Sequence, residues 1–200
     1  LCRRLGKSEK GSFLCDPDGL MTLQGSQRVE LELEKISHLK SPCGDAGPQR
    51  VEAGVAAVYR ISPAFIPNPK LKWKPRPRNG HDSDRLVEAF AGNVQDIWGV
   101  GNMECDNGIL LLVSQEDRSL VISVGQGLED YFPPPLRSEV LSTMVPHLAE
   151  GDFDQGILKG VQGMEQQLRN ALEEHALKTS KVTAAGRKKV MRQPHPQARR

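Results

Sequence analysis

The chain predicts an α/β fold: a three-layer α/β/α sandwich, Rossmann-like, around a small mixed sheet. Three observations carry that expectation. A run of small and β-branched residues, "VEAGVAAVYRI" (51–61), reads as a buried strand between two segments with helical apolar spacing. Two further strand-like runs, "ILLLVS" and "SLVISVG", are joined by the charged turn "QEDR", the pattern of a β-hairpin. Two more helical segments follow, so helices are expected on both faces of the sheet.

Taken in order, residues 1–12 are polar and rich in Gly and Lys, an extended lead-in. From Thr22 to Lys40, Val29, Leu33, Ile36 and Leu39 recur near a helical period, with Glu30, Glu32, Glu34 and Lys35 outward. Thr22 suits the N-cap, and Gly25 weakens the first turn. "SPCGDAGPQ" (41–49) is a turn cluster leading into the strand at 51–61. Residues 62–82 then carry five prolines and five Lys/Arg, a basic insertion that cannot form a regular element. The second helix spans 83–98, with Leu86, Val87, Phe90, Val94 and Ile97 on one side. A glycine turn (99–108) and the hairpin come next, and "GQGLED" (125–130) leads to a helix around 136–148 behind Pro133–Pro135. "EGDFDQG" (150–156) opens a last helix to about Lys178, with Ile157, Val161, Met164, Leu168 and Leu172 inward.

Composition bounds the function. The chain has 200 residues, 38% of them hydrophobic, enough for one core, here assigned to residues 13–177. Its longest apolar run is five residues (109–113), far short of the ~20 a membrane span needs. The net charge of +2 conceals an asymmetry: residues 178–200 hold eight Lys/Arg and no acid, leaving a body of 19 basic and 25 acidic residues, about −6. That tail is expected to be disordered. The chain is read as a monomer with no specific nucleic-acid partner. Four cysteines, Cys2, Cys15, Cys43 and Cys105, include no C-x-x-C pair; they suit two disulfides, with free buried thiols the alternative.

The stretch "FLCDPDGLMT" (13–22) has the letters of a haloacid-dehalogenase nucleophile, but only Phe13 and Leu14 precede Cys15 where that mechanism needs a firm strand. The later Ser/Thr, Lys and acidic pair of that chemistry are also missing at strand ends. "GQGLED" has two glycines of a dinucleotide fingerprint and lacks the third. No Gly-x-Ser-x-Gly, His-Glu-x-x-His or P-loop occurs.

Taken together, "CDPDGLMT", "WGVGNMECDNGILLLVS", "ISVGQGLED" and "VPHLAEGDFDQGILKGVQGM" resemble the TPM domain across residues 13–172. That family takes its name from a thylakoid-lumen phosphatase, a photosystem II repair protein and a modulator of the levamisole-sensitive acetylcholine receptor. The cysteine pattern is similar to the animal extracellular branch. The resemblance implies an α/β/α sandwich and a place outside the cytosol, extracellular or luminal. It also implies association with a membrane protein complex or receptor, with membrane attachment through a segment absent from this chain. Calcium-binding acid phosphatase activity on phosphomonoesters is the alternative that the family offers.

Topology locates candidate sites. If the strand at 51–61 runs up, both the 99–107 loop and "GQGLED" lie at the bottom, where Asp106, Asn107, Glu129 and Asp130 converge as ligands for a hard cation such as Ca²⁺. Cys43 falls beside Cys105 there, making a Cys43–Cys105 bond feasible and leaving Cys2–Cys15. Pairing Cys15 with Cys43 would have to span a helix about 25 Å long, against a limit of roughly 7 Å between Cα atoms. At the top, Asp16 and Asp18 enter the first helix and Asp152 and Asp154 the last. Capping and turn chemistry is their favoured role, with a second cation cluster the sharper one. In the basic insertion, Lys70, Lys72, Trp73, Lys74, Arg76 and Arg78 form a candidate partner surface.

Overall fold

A computed structural model describes residues 12–42, 49–61 and 81–190. Among the described residues the elements are β1 (Ser12–Cys15), α1 (Leu23–Ile36), β2 (Glu52–Val58), α2 (His81–Trp98), β3 (Gly108–Ser114), β4 (Ser119–Val124), α3 (Pro134–Ala149) and α4 (Phe153–Val190), with a 3-10 turn at Gln126–Leu128. The four strands stand in the order β1-β2-β3-β4. The first three are parallel, with Cys15 opposite Ala56 and Glu52 opposite Gly108. The hairpin sets β4 antiparallel to β3, Ile109 opposite Val124. The sheet is mixed, as expected.

Strand alternation sorts the core into two layers. Ala53, Val55 and Ala57 of β2, with Ile109, Leu111 and Val113 of β3, pack against Val29 and Leu33 of α1, Met144 of α3, and Ile157, Val161 and Met164 of α4. The opposite face presents Ala56 and Leu112 to Val87 and Ala91 of α2. Every residue of β3 is buried, the pattern of a strand covered on both sides.

The structure corrects the sequence reading in three places. Ser12–Cys15 form a short edge strand rather than the end of a lead-in; four residues are too few for alternation to show. Helix α1 stops at Ile36 instead of Lys40, because Ser37 turns its hydroxyl back to Glu34 O at 2.7 Å and ends the ladder. Leu39 is nonetheless buried, beyond the helix. Helix α4 continues to Val190, through the first part of the tail expected to be disordered from 178. Its residues there include Ala184 and Ala185 and several Lys/Arg. These favour helix, and cations suit a helix C-terminus.

Thr22 caps α1, its hydroxyl accepting from Gly25 N at 3.0 Å. Gly25 is there because a Cβ would stand 2.1 Å from Asp154 Oδ1. The glycine that weakens the turn on propensity grounds thus lets the start of α4 reach the start of α1.

Candidate functional site: the two ends of the sheet

At the bottom, the loop 99–107 and the segment after β4 do meet. Asp106 has φ 45, a left-handed conformation that Asp tolerates. Its Oδ2 accepts from Gln126 N at 2.7 Å and its carbonyl from Gly127 N at 3.0 Å. The contact is too tight for any side chain at 127, where a Cβ would lie 1.9 Å from Cys105 O. Asn107 is fully buried and structural in its bonding. Its Nδ2 donates to Arg50 O at 2.6 Å and its Oδ1 accepts from Asn102 N at 2.8 Å. Glu129 is ion-paired with Arg137, whose Nε also donates to Phe132 O at 3.1 Å. Asp130 is exposed, and its charge is a secondary cause, after burial, that raises the Tyr131 phenol above its ordinary value. The four residues therefore share one end of the molecule, with Asn107 and Glu129 facing protein partners. Among the described residues, no three His, Cys, Asp or Glu side chains group closely enough to hold a metal ion.

At the top, each aspartate of the second cluster accepts from a backbone amide. Asp16, directly after β1, takes Leu20 N at 2.9 Å and Met21 N at 2.8 Å. Asp18 takes Tyr59 N at 2.6 Å, tying the β1–α1 turn to the end of β2. Asp152 takes Gln155 N at 3.0 Å in the first turn of α4. Asp154 takes Thr22 N at 2.8 Å and the Thr22 hydroxyl at 2.5 Å. A strand does precede Asp16, contrary to the sequence reading, yet its carboxylate is spent on the turn that follows.

Two residues escaped the sequence reading. Asp117, in the hairpin turn, accepts from Ile61 N at 2.8 Å and from the Ser114 hydroxyl at 2.7 Å. Gln95 is a buried amide inside the inward stripe of α2. The signal for it was its place among Val87, Ala91, Val94 and Trp98.

Cys15 and Cys105 are both buried and both disulfide-bonded, at opposite ends of the sheet. Ser41 Oγ stands 3.1 Å from Cys105 Sγ. Cys2 and Cys43 lie outside the described residues, as do Lys70, Lys72, Trp73, Lys74, Arg76 and Arg78. Among the described residues no helix is long and apolar enough to cross a membrane.

The sandwich and its loop motifs define a TPM domain, and the comparisons with known proteins agree. The model for that domain matches residues 77–167. The family model described as Modulator of levamisole receptor-1 matches residues 2–118, more than half the chain, and the chain belongs to that family. Among solved structures, it is similar to the N-terminal domain of a protein from P. gingivalis: TM-score 0.59 and 24% identity, covering 85% of this chain and 88% of that one. The BA42 protein of Bizionia argentinensis is also similar, with TM-score 0.51 and 17% identity over 78% of this chain and 86% of that one. At these identities the likeness is one of fold. The search of curated proteins returned no match.

Proposed function

We propose that the chain is an extracytoplasmic interaction domain that associates with a membrane receptor complex and modulates it. The observation that carries this reading is the family match over residues 2–118. The site chemistry supports it from the other side, since Asp16, the residue best placed to be a nucleophile, is held by two backbone amides. Disulfides Cys43–Cys105 and Cys2–Cys15 would fit an oxidising compartment. The proximity of Ser41 to Cys105 supports the first of them. The basic insertion around Trp73 is the contact surface in this reading.

The test is co-expression of the chain with a levamisole-sensitive acetylcholine receptor, recording agonist currents and co-purification. Altered currents together with recovery of the receptor support the proposal; unchanged currents and no recovery refute it.

A second reading, calcium binding at Asp106, Asn107, Glu129 and Asp130, is favoured by the contact between the 105–107 and 125–127 loops. It requires Glu129 to leave Arg137 and the buried Asn107 Oδ1 to leave Asn102 N. Specific binding should raise the melting temperature with calcium concentration, by about 2.7 kcal/mol of stability at a hundred times the dissociation constant. The rise should vanish in Asp106→Ala/Glu129→Ala. Turnover of a phosphomonoester, lost in Asp106→Ala with the fold intact, would replace both readings with a metal-dependent acid phosphatase.

A further inference from the structure

Strand β4 stands at one edge of the sheet, and among the described residues no strand pairs with its far side. The hydrogen bond from Gly125 N to Gly108 O, 2.8 Å, fixes which of its residues face which way. Hydrogen-bonded pairs alternate along an antiparallel ladder, so Ser119, Val121 and Ser123 bond to β3. Leu120, Ile122 and Val124 turn their N–H and C=O groups outward. The strand "SLVISV" carries none of the devices that protect an edge: it has no charge and no proline, and its register with β3 runs unbroken. The other edge strand, β1, is four residues long and is protected by its shortness.

Both flanks of the β4 edge are apolar and open. On one side a groove of about 900 Å³ lies between the hairpin and the end of α3, with Leu120, Val145 and Leu148 in its lining and Val145 52% exposed. On the other side lies α2, whose layer packs against Val121. A Cβ at Gly108 would stand 2.8 Å from Gln95 Nε2, so the Gln95 flank of α2 faces β3. At 3.6 residues per turn, Phe90 and Ile97 fall on the opposite flank, beyond β4. Phe90 is half-buried and Ile97 is 65% exposed.

A strand added to this edge must be uncharged, since it would meet no charged partner on the strand or on either apolar flank. The strand that meets this condition is β4 itself. We propose that β4 pairs antiparallel with β4 of a second copy of this chain, joining two sheets into one across a two-fold axis. The axis at Ile122 sets that residue against its own copy and Leu120 against Val124 of the second copy, each pair exchanging two N–H···O=C bonds. Apolar flank then meets identical apolar flank, the self-complementarity that a two-fold interface requires. Because β1 is too short to template further pairing, the assembly closes at two copies. The proposal replaces the monomer read from the sequence and is independent of the receptor reading.

The test is sedimentation velocity on the full chain over a range of concentrations, with amide exchange read residue by residue by NMR. The mass should rise to twice that of the chain. The amides of Leu120, Ile122 and Val124 should exchange about tenfold or more slowly in the dimer than in dilute chain, while those of Ser119, Val121 and Ser123 stay protected throughout. Ser123→Lys sets like charges diagonally across the seam, and Ile97→Glu puts a charge on the exposed flank. Each should weaken dimerisation about tenfold or more with an unchanged circular dichroism spectrum. Three outcomes would overturn the proposal: a chain that stays monomeric at NMR concentrations, a dimer whose outward amides remain fast, or unchanged affinity in either variant with the fold intact. Protection of the outward amides only when the receptor is present would also overturn self-pairing, and would give this edge to the receptor.

Discussion

Replacing Gly25 by alanine should have opposite effects depending on what stands at position 154. A Cβ at Gly25 meets all three terminal atoms of the Asp154 carboxylate, at 2.1, 2.2 and 2.6 Å. Gly25→Ala therefore pushes that carboxylate off the Thr22 amide and hydroxyl, which it holds at 2.8 and 2.5 Å. Sheltered hydrogen bonds to a charged group contribute about 1.5–3 kcal/mol each; this pair is exposed, so about 1 kcal/mol each is the working figure. Alanine returns up to about 1 kcal/mol in helix propensity. The net is a loss of about 1 kcal/mol, a fall in Tm of about 2–4 °C for a chain of this size. In an Asp154→Ala background the three atoms that a Cβ would strike are gone, and Gly25→Ala should then stabilise by about 0.5–1 kcal/mol. Urea unfolding of the wild type, both single variants and the double variant, followed by circular dichroism, gives the cycle. Equal effects of Gly25→Ala in both backgrounds would refute the reasoning.

Gly127→Ala drives a Cβ against the Cys105 carbonyl, which is backbone and cannot swing away. It should cost more than Gly25→Ala in the same unfolding assay and accelerate amide exchange at Asp106 and Gln126. Phe132, fully buried in the larger core layer, should cost about 3–5 kcal/mol as Phe132→Ala in denaturant unfolding. Burial and the Asp130 charge raise the Tyr131 phenol above 10.0, so folding favours its protonated form. The stability this contributes is whole below pH 10.0 and is lost as pH rises through the higher folded value. Tyr131→Phe should accordingly flatten the alkaline decline in Tm. Glu174 is shifted the other way by its hydrogen bond to Lys178 and by that charge. Its contribution is present above 4.5, fades as pH falls through the lowered value, and should disappear in Lys178→Ala.

Much of the fold was legible because its core elements are long enough to show a period. Helix α2 and the β3–β4 hairpin sit within a few residues of where apolar spacing put them, and Thr22 is the N-cap that the sequence suggested. What escaped has local causes. Strand β1 has four residues and takes its identity from pairing with β2, a contact that no single-segment pattern contains. The continuation of α4 rests on helix propensity, whereas the expected stop rested on the end of its apolar stripe.

The sites were legible in placement more than in bonding. Loop order alone put Asp106 and Gln126 at one end of the molecule. That Asn107 would spend both ends of its amide on Arg50 and Asn102 depends on backbone positions that only the folded chain supplies. Gln95 was hidden for the opposite reason, since it occupies a helical position where apolar neighbours invite a packing explanation.

The bond between Thr22 and Asp154 joins residues 132 apart in sequence. During synthesis, the first helix is complete long before the residue that receives its opening amide exists. Until α3 and α4 emerge, Ile109, Leu111 and Val113 have α1 alone among their eventual helical neighbours on that face. A nascent chain halted at residue 118, where the longer family match ends, would carry half of a core and an uncovered apolar sheet face, the kind of intermediate that aggregates. The unit that folds is thus larger than the unit that the family match recognises, and its last-made helix is the one that closes it.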